Sequence, residues 1–139
     1  MLFRSEGETD AINDAANWSN PEAEVLTGTL SALFAEGGDH ADVSGIVRFG
    51  NLSFSPAAGT AGFTFDAADG AALLEAYGDS MTFTGPGRNV FNLPVRISRQ
   101  QSWSFSQGVA VHFSTNLASV SGIIAMNGAG DVSFNGPTT

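Results

Sequence analysis

From Leu26 onward, the chain alternates short apolar runs with polar turns. Leu52-Ser53-Phe54 and Val111-His112-Phe113 have apolar side chains at every second position, which places them on one face of a β-strand. Most of these runs are very short. Gly, Asn, Asp, Ser or Pro separates them at intervals of roughly 8–12 residues, a spacing typical of all-β folds.

Two all-β architectures have this spacing, a β-sandwich and a β-helix in which successive coils stack. Sandwich strands are most often about 5–6 residues long, so the shorter runs favour the second architecture. We therefore predict a single-domain β-solenoid (β-helix) over residues 25–139, with a β-sandwich as the alternative. The segment 66–77 could form a helix, but Gly70 in its middle favours a turn or a lateral excursion.

Residues 1–24 are polar and acidic, and they predict a cap or arm with at most a short helix. The whole chain has 14 acidic and 5 basic residues and a net charge of −9, and nine of the acids lie between Glu6 and Asp42. Such a surface repels phosphate backbones, which argues against a nucleic-acid partner. No apolar run approaches the ~18 residues of a membrane helix, so membrane insertion is not expected.

The residue types exclude several kinds of chemistry. The absence of cysteine excludes disulfides, thiolate metal sites and a Cys nucleophile. The absence of lysine excludes a P-loop and a Schiff base. No Gly-x-Ser-x-Gly motif is present, and a triad would have to use His40 or His112, both of which are predicted to be surface residues. We therefore predict a protein with no catalytic residues and no cofactor, apart from the weak calcium candidates described below.

Several segments carry a family pattern: Asn17-Trp18-Ser19, Ala32-Leu33-Phe34, Leu52-Ser53-Phe54, the strand-turn-strand segment 95–105, and Gly-Ala-Gly-Asp-Val-Ser-Phe-Asn-Gly at 128–136. Together they resemble the autotransporter-associated β-strand repeat of bacterial passenger domains, over roughly residues 13–139. The resemblance implies a structural β-solenoid outside the cell or at its surface. The chain departs from the family at Met126-Asn127, where the family usually has Lys-x, and it has one copy of a repeat that passengers carry many times.

The open strand edges at the end of a solenoid pair with other chains unless they are blocked. We therefore predict a homo-oligomer or a polymer, including a filament if the contacts do not close. The predicted self-association residues are Gly128 and Gly130, which permit a tight corner through positive φ, and Val132 and Phe134, which point inward. The alternative function is a surface adhesin or phage-type fibre module that binds glycans. The candidates for an exposed aromatic platform are then Trp18, Tyr77 and Trp103, of which alternation places Trp103 in the interior.

Two further groups of residues are candidates for binding. Asp10, Asp14, Asp39 and Asp42 are weak calcium candidates, because calcium prefers oxygen ligands, although simple counterion screening is the alternative. Arg88 lies in a Gly-Pro turn, and Arg96 and Arg99 flank Gln100-Gln101. These three arginines are the predicted partner contacts. For Arg96 and Arg99 the alternative is ion pairing with acids of the same or a neighbouring molecule.

Overall fold

The computed structural model describes residues 2–3, 31–34, 40–55, 62–84, 87–119 and 124–134. Within these ranges the chain forms fifteen strands and no helix. The strands are β1 (Leu2–Phe3), β2 (Ala32–Phe34), β3 (His40–Val43), β4 (Ile46–Phe49), β5 (Leu52–Phe54), β6 (Thr64–Ala67), β7 (Leu73–Ala76), β8 (Ser80–Phe83), β9 (Gly87–Asn92), β10 (Val95–Ile97), β11 (Gln101–Phe105), β12 (Val109–Phe113), β13 (Leu117–Ser119), β14 (Ile124–Gly128) and β15 (Asp131–Phe134).

The strands form three sheets in which all pairs are parallel. Sheet A has the order β1-β2-β5-β8-β11-β14, sheet B has β3-β6-β9-β12-β15, and sheet C has β4-β7-β10-β13. From β2 onward the chain visits sheets A, B and C in turn, so each coil adds one strand to each sheet. The result is a β-solenoid of about four turns, which confirms the predicted fold. We call the strands from β2 to β4 the first coil, and the pair β14 and β15 the last coil.

Two ladders of stacked phenylalanine rings form much of the core. Alternation along the short strands directs these rings inward, where Phe is suited to a dry stack because it has no hydroxyl to satisfy. Neighbouring rings within each ladder are nearly parallel, with centroids 4.7–5.4 Å apart. The ladders consist of Phe34, Phe54, Phe83 and Phe105 in sheet A, and of Phe65, Phe91, Phe113 and Phe134 in sheet B.

The two ladders also contact each other across the interior. The rings of Phe34 and Phe65 lie 5.0 Å apart at 84°, and those of Phe54 and Phe91 lie 5.7 Å apart at 89°. This edge-to-face arrangement adds to the free energy gained by burial. The aromatic core therefore sets the register of successive coils.

Glycines permit close stacking at some corners. Gly62 and Gly128 have φ of 99° and 122°, and a Cβ at either position would overlap a backbone carbonyl oxygen, that of Arg88 or that of Phe105. The prediction of positive φ is thus correct for Gly128 but wrong for Gly130, which is not among the positive-φ glycines. Gly130 is required for space instead, because a Cβ there would lie 2.6 Å from Cγ1 of Val109.

Two segments differ from their sequence-based predictions. The segment 66–77 is not a simple turn or excursion, because Leu73–Ala76 forms the regular strand β7 between β4 and β10. At the N-terminus, Leu2–Phe3 pairs in parallel with β2 as a strand. The rest of the predicted cap or arm, up to residue 24, lies outside the described residues.

Candidate interaction surfaces

The C-terminal end of the solenoid exposes apolar side chains that belong to the core pattern. Met126 of β14 is in register with Trp103, and Phe134 of β15 is in register with Phe113. Trp103 and Phe113 are buried, whereas Met126 is 44% exposed and Phe134 is 39% exposed. The ring of Phe134 stacks on Phe113 at 5.4 Å, as its predicted inward direction requires. No described strand covers it from the other side.

All four predicted self-association residues lie in the last coil. Gly128 ends β14 opposite Phe105, Gly130 precedes β15, and Val132 pairs with Val111 and is half-buried. β14 and β15 are also the last strands of sheets A and B. Among the described strands, none pairs with their outer edges, so these edges present backbone N–H and C=O groups for further pairing.

The described strands at the opposite end of the solenoid expose less apolar surface. The strands β3 and β4 are the first strands of sheets B and C, and they too have only one described neighbour each. Nevertheless, the inward side chains of this first coil, Ala41, Val43, Val47 and Phe49, are fully buried. The described strands of the two ends therefore differ in how much apolar surface they expose.

A buried carboxylate joins the first three coils on the outer face of sheet C. Glu75 lies in register between Arg48 and Arg96, and its side chain is fully buried. Its Oε2 accepts hydrogen bonds from Nε of Arg48 at 3.3 Å and from the Tyr77 hydroxyl at 2.6 Å, and its Oε1 accepts one from Nη2 of Arg96.

Burial alone would raise the pKa of Glu75. The hydrogen bond from Tyr77 and the guanidinium groups of Arg96 and Arg48 outweigh this effect, and the pKa is lowered. Glu75 is thus an ionised group that ties three strands together. This row of charged side chains ends at the next coil, where Ala118 is in register with Arg96.

A second polar cluster links β3 and β6 on the outer face of sheet B. Asp42 and Asp66 are in register, and Nε2 of His40 lies 3.2 Å from Oδ1 of Asp42 and 2.7 Å from Oδ2 of Asp66. Their potential ligand atoms all lie within 4.8 Å of one another. Asn92 Nδ2 donates to the other oxygen of Asp66 at 2.8 Å, which orients that carboxylate.

This cluster includes only one of the predicted calcium candidates. Asp42 belongs to it, whereas Asp10, Asp14 and Asp39 lie outside the described residues. Calcium takes about six to eight oxygen ligands, but here an imidazole already lies between the two carboxylates. The geometry therefore favours a polar contact that joins two strands, and calcium binding at Asp42 stays a prediction.

Two of the three predicted contact arginines are paired within the chain. Arg96 pairs with Glu75, and Nη1 of Arg99 lies 3.1 Å from Oδ1 of Asp79. Arg88 does not lie in a turn as predicted, because it belongs to β9, where it is exposed on the outer face of sheet B. In the part of the chain that the structure describes, Arg88 makes no ion pair.

An open groove of about 440 Å³ lies where the chain passes from sheet C to sheet A, and we call it the corner groove. Its lining consists of Ser31, Gly50, Asn51, Tyr77, Gly78, Asp79 and Arg99. Trp103 is fully buried, as alternation predicted, and Tyr77 is 39% exposed. The third candidate platform, Trp18, lies outside the described residues. The sequence did not reveal that Arg99 would lie beside Tyr77 and Asp79, because it comes from the next corner along the chain.

The histidines do not form a catalytic triad among the described residues. Nδ1 of His112 lies 2.6 Å from Oγ of Ser133 on the exposed outer face of sheet B. No carboxylate of the described residues lies within ion-pair distance of His112, and His40 is held between two aspartates. The absence of catalytic residues stays a prediction.

No protein-family model, curated protein or solved structure matches the chain. The resemblance to the autotransporter-associated repeat therefore rests on the sequence motifs alone. The residues that the structure describes include no helix that is long and apolar enough to span a membrane.

Proposed function

We propose that this chain is a non-enzymatic structural protein, located outside the cell or at its surface, whose β-solenoid self-associates through its C-terminal end. The observation that carries the proposal is the exposure of Met126 and Phe134, whose register partners one coil earlier are buried. The motif resemblance to passenger domains supports the location and the structural role.

Two forces favour pairing at this end. Burial of apolar surface contributes about 25 cal/mol per Å², and Met126, Phe134 and the half-buried Val132 lie side by side on the last coil. The outer edges of β14 and β15 can also form main-chain hydrogen bonds with a further strand. A partner that continues both sheets would gain from both contributions.

The partner that fits best is the same end of a second copy. Because the inward side chains of β3 and β4 are already buried, these two described strands of the N-terminal end offer no matching apolar surface. Two C-terminal ends related by a two-fold axis present identical surfaces, and their strands would pair antiparallel in a closed dimer. A head-to-tail filament, the other predicted form, would require the N-terminal end to open.

The distribution of charge also favours the tail-to-tail dimer. Asp131 is the only charged residue after Arg99, whereas nine acids lie between Glu6 and Asp42. β3, which contains Asp42, lies at the N-terminal end of sheet B. Contact through the last coil, whose only charged residue is Asp131, therefore brings few like charges together.

Sedimentation of the wild type and of Phe134→Asp over a range of concentrations tests self-association. We expect a concentration-dependent dimer for the wild type and a monomer for Phe134→Asp, because the new charge would be desolvated at the contact. Ser104→Asp is the control, since it adds the same charge at an exposed, outward position of β11, one coil away from the last coil. A monomeric wild type, or a variant Phe134→Asp that still dimerises, would overturn the proposal.

Disulfide trapping tests the arrangement, because the native chain has no cysteine. A single cysteine introduced as Ser133→Cys should link two copies tail to tail under oxidising conditions. Ile46→Cys, at an exposed position of β4 near the other end, should remain unlinked. Filaments seen by electron microscopy, or linkage through Ile46→Cys, would show that the N-terminal end takes part.

A further inference from the structure

The corner groove runs along the axis of the solenoid. Ser31 precedes β2, Gly50 and Asn51 precede β5, residues 77–79 precede β8, and Arg99 precedes β11. These are four successive corners on one side of the molecule. Adjacent strands of a sheet lie about 4.8 Å apart, so the groove presents side chains at a regular spacing to a ligand that lies parallel to the axis.

Hydrogen bonds between coils hold the floor of the groove. Oδ1 of Asn51 accepts from the amide nitrogens of Asp79 at 2.8 Å and of Ser80 at 3.2 Å. Nε2 of Gln101 donates to the carbonyl of Gly78 at 2.9 Å, and a Cβ on Gly78 would overlap the side chain of Asn51. The groove is therefore preformed, and a ligand loses little free energy in ordering it.

Tyr77 provides a fixed aromatic wall. Its hydroxyl donates to the buried Glu75 at 2.6 Å, which restrains the ring, while 39% of the residue remains exposed. Aromatic rings with a few polar groups around them are typical of small-ligand sites. The apolar C–H face of a sugar ring is suited to stack on such a wall.

The ion pair of Asp79 and Arg99 supplies the polar groups. Their side chains are 79% and 61% exposed, so the pair contributes little to folding stability. A carboxylate only accepts hydrogen bonds and a guanidinium only donates them, whereas a hydroxyl does both. Two neighbouring sugar hydroxyls could therefore satisfy both side chains at once.

The charge of the site selects among saccharides. The pair of Asp79 and Arg99 is neutral as a whole, and the chain has a net charge of −9. An acidic polysaccharide would be repelled by the protein as a whole. We propose that the corner groove binds a neutral oligosaccharide or polysaccharide chain, with a sugar ring on Tyr77 and hydroxyls on Asp79 and Arg99.

Nuclear magnetic resonance provides a direct test, because Tyr77 is the only tyrosine in the chain and its ring signals need no further assignment. The probes are neutral cello-, malto-, manno- and xylo-oligosaccharides, with oligogalacturonate as the acidic comparison. We expect at least one neutral oligosaccharide to shift the Tyr77 ring signals in a saturable way. No saturable shift with any neutral probe, or a shift with oligogalacturonate alone, would overturn the proposal.

Substitutions then locate the binding. Asp79→Ala and Arg99→Ala should each weaken binding by about five- to tenfold, since each removes a hydrogen-bonding partner of the ligand. Arg88→Ala is the matched control, because it removes the same charge from an exposed arginine on sheet B. Equal affinity of all three variants would place the ligand elsewhere and overturn the assignment to the corner groove.

Saccharide binding and self-association can fail independently. The corner groove lies on the side of the solenoid, away from the last coil, so Phe134→Asp should retain wild-type saccharide affinity. If Phe134→Asp abolished both dimerisation and saccharide binding while remaining folded, the saccharide site would belong to the dimer contact rather than to the corner groove.

Discussion

The strands β3 and β15 occupy equivalent places at opposite ends of sheet B, yet their inward side chains have different surroundings. Those of β3, Ala41 and Val43, are fully buried, whereas Val132 of β15 is half-buried and Phe134 is 39% exposed. The aromatic ladder also ends differently, with Ala41 opposite Phe65 at one end and a full ring, Phe134, at the other.

This difference indicates which feature of a solenoid end favours the pairing of a further strand. Both ends have strand edges with one described neighbour, so an edge alone does not distinguish them. The difference lies in the apolar surface next to the edge. A small, buried terminal side chain leaves a partner little apolar surface to cover. An exposed aromatic ring, in contrast, contributes free energy of burial when a partner covers it.

The largest expected difference in stability between the two ends follows from removing one phenylalanine ring at each end. Phe34→Ala, in the buried first coil, should lower the free energy of unfolding by about 3–5 kcal/mol, because it leaves a cavity in the aromatic core. Phe134→Ala should lower that of the monomer by only about 1 kcal/mol, since much of the ring is already in water. Urea titrations at low protein concentration measure both. Equal losses would show that the last coil is buried after all.

Corner glycines provide a second, smaller comparison. Gly62→Ala should cost about 2–3 kcal/mol, because positive φ is strained for alanine and the Cβ overlaps the backbone at Arg88. Gly128→Ala meets the same overlap at Phe105, but in the last coil, which can detach locally. Its effect on global stability should be below about 1 kcal/mol, while hydrogen exchange in β14 should accelerate. Gly108→Ala, with positive φ and open space, is the control for strain alone.

The ion pairs of Glu75 with Arg48 and Arg96 predict that the stability of the first three coils depends on pH. Glu75→Gln should lower stability at pH 7 by about 2 kcal/mol, because the ionised partner of two half-exposed arginines is lost. The folded-state pKa of Glu75 is lowered, so its contribution is present above the unfolded pKa of about 4.3 and is lost as the pH falls through the folded-state pKa.

Urea midpoints measured between pH 7 and pH 3 check this effect. The wild type should lose its advantage over Glu75→Gln as the pH falls, and the two should converge in acid. Asp131→Asn, at the exposed open end, is the control and should follow the wild type. A constant difference between the wild type and Glu75→Gln across the range would contradict the lowered pKa.

The smallest expected effect tests whether the position of an exposed apolar side chain, rather than its exposure alone, determines dimerisation. Ile46 and Met126 are 43% and 44% exposed, but Ile46 points outward from β4, whereas Met126 continues the interior column of Trp103. Ile46→Ser and Met126→Ser should each change the stability of the monomer by about 1 kcal/mol or less. Sedimentation should show weaker dimerisation only for Met126→Ser. Equal weakening by both would break the distinction between the two ends.

The architecture could be predicted from the sequence because alternation is local. Leu52–Phe54 is a strand and Val111–Phe113 is part of one, and both have the predicted buried and outward positions. The predicted burial of Trp103 is confirmed for the same reason. Such predictions need only the pattern within one strand and its turns.

The contacts between coils could not be predicted, because the coils differ in length. Glu75 meets Arg48 and Arg96 from sequence separations of 27 and 21 residues, and nothing in Leu73–Ala76 indicates which residues lie opposite. The same limit hid the corner groove and the contact of His40 with Asp66. The role of Gly130 was misjudged because sequence alone does not distinguish a glycine needed for φ from one needed for space.

The repeated interior also makes the molecule extensible. Phe83 and Phe105 occupy the same place in consecutive coils, so residues 84–105 constitute one full period of the ladder. Duplicating that period should insert a coil whose rings stack on those above and below, and should lengthen the rod by about 4.8 Å. The length of the molecule is therefore set by the number of its coils, in steps of the spacing between adjacent strands of a sheet.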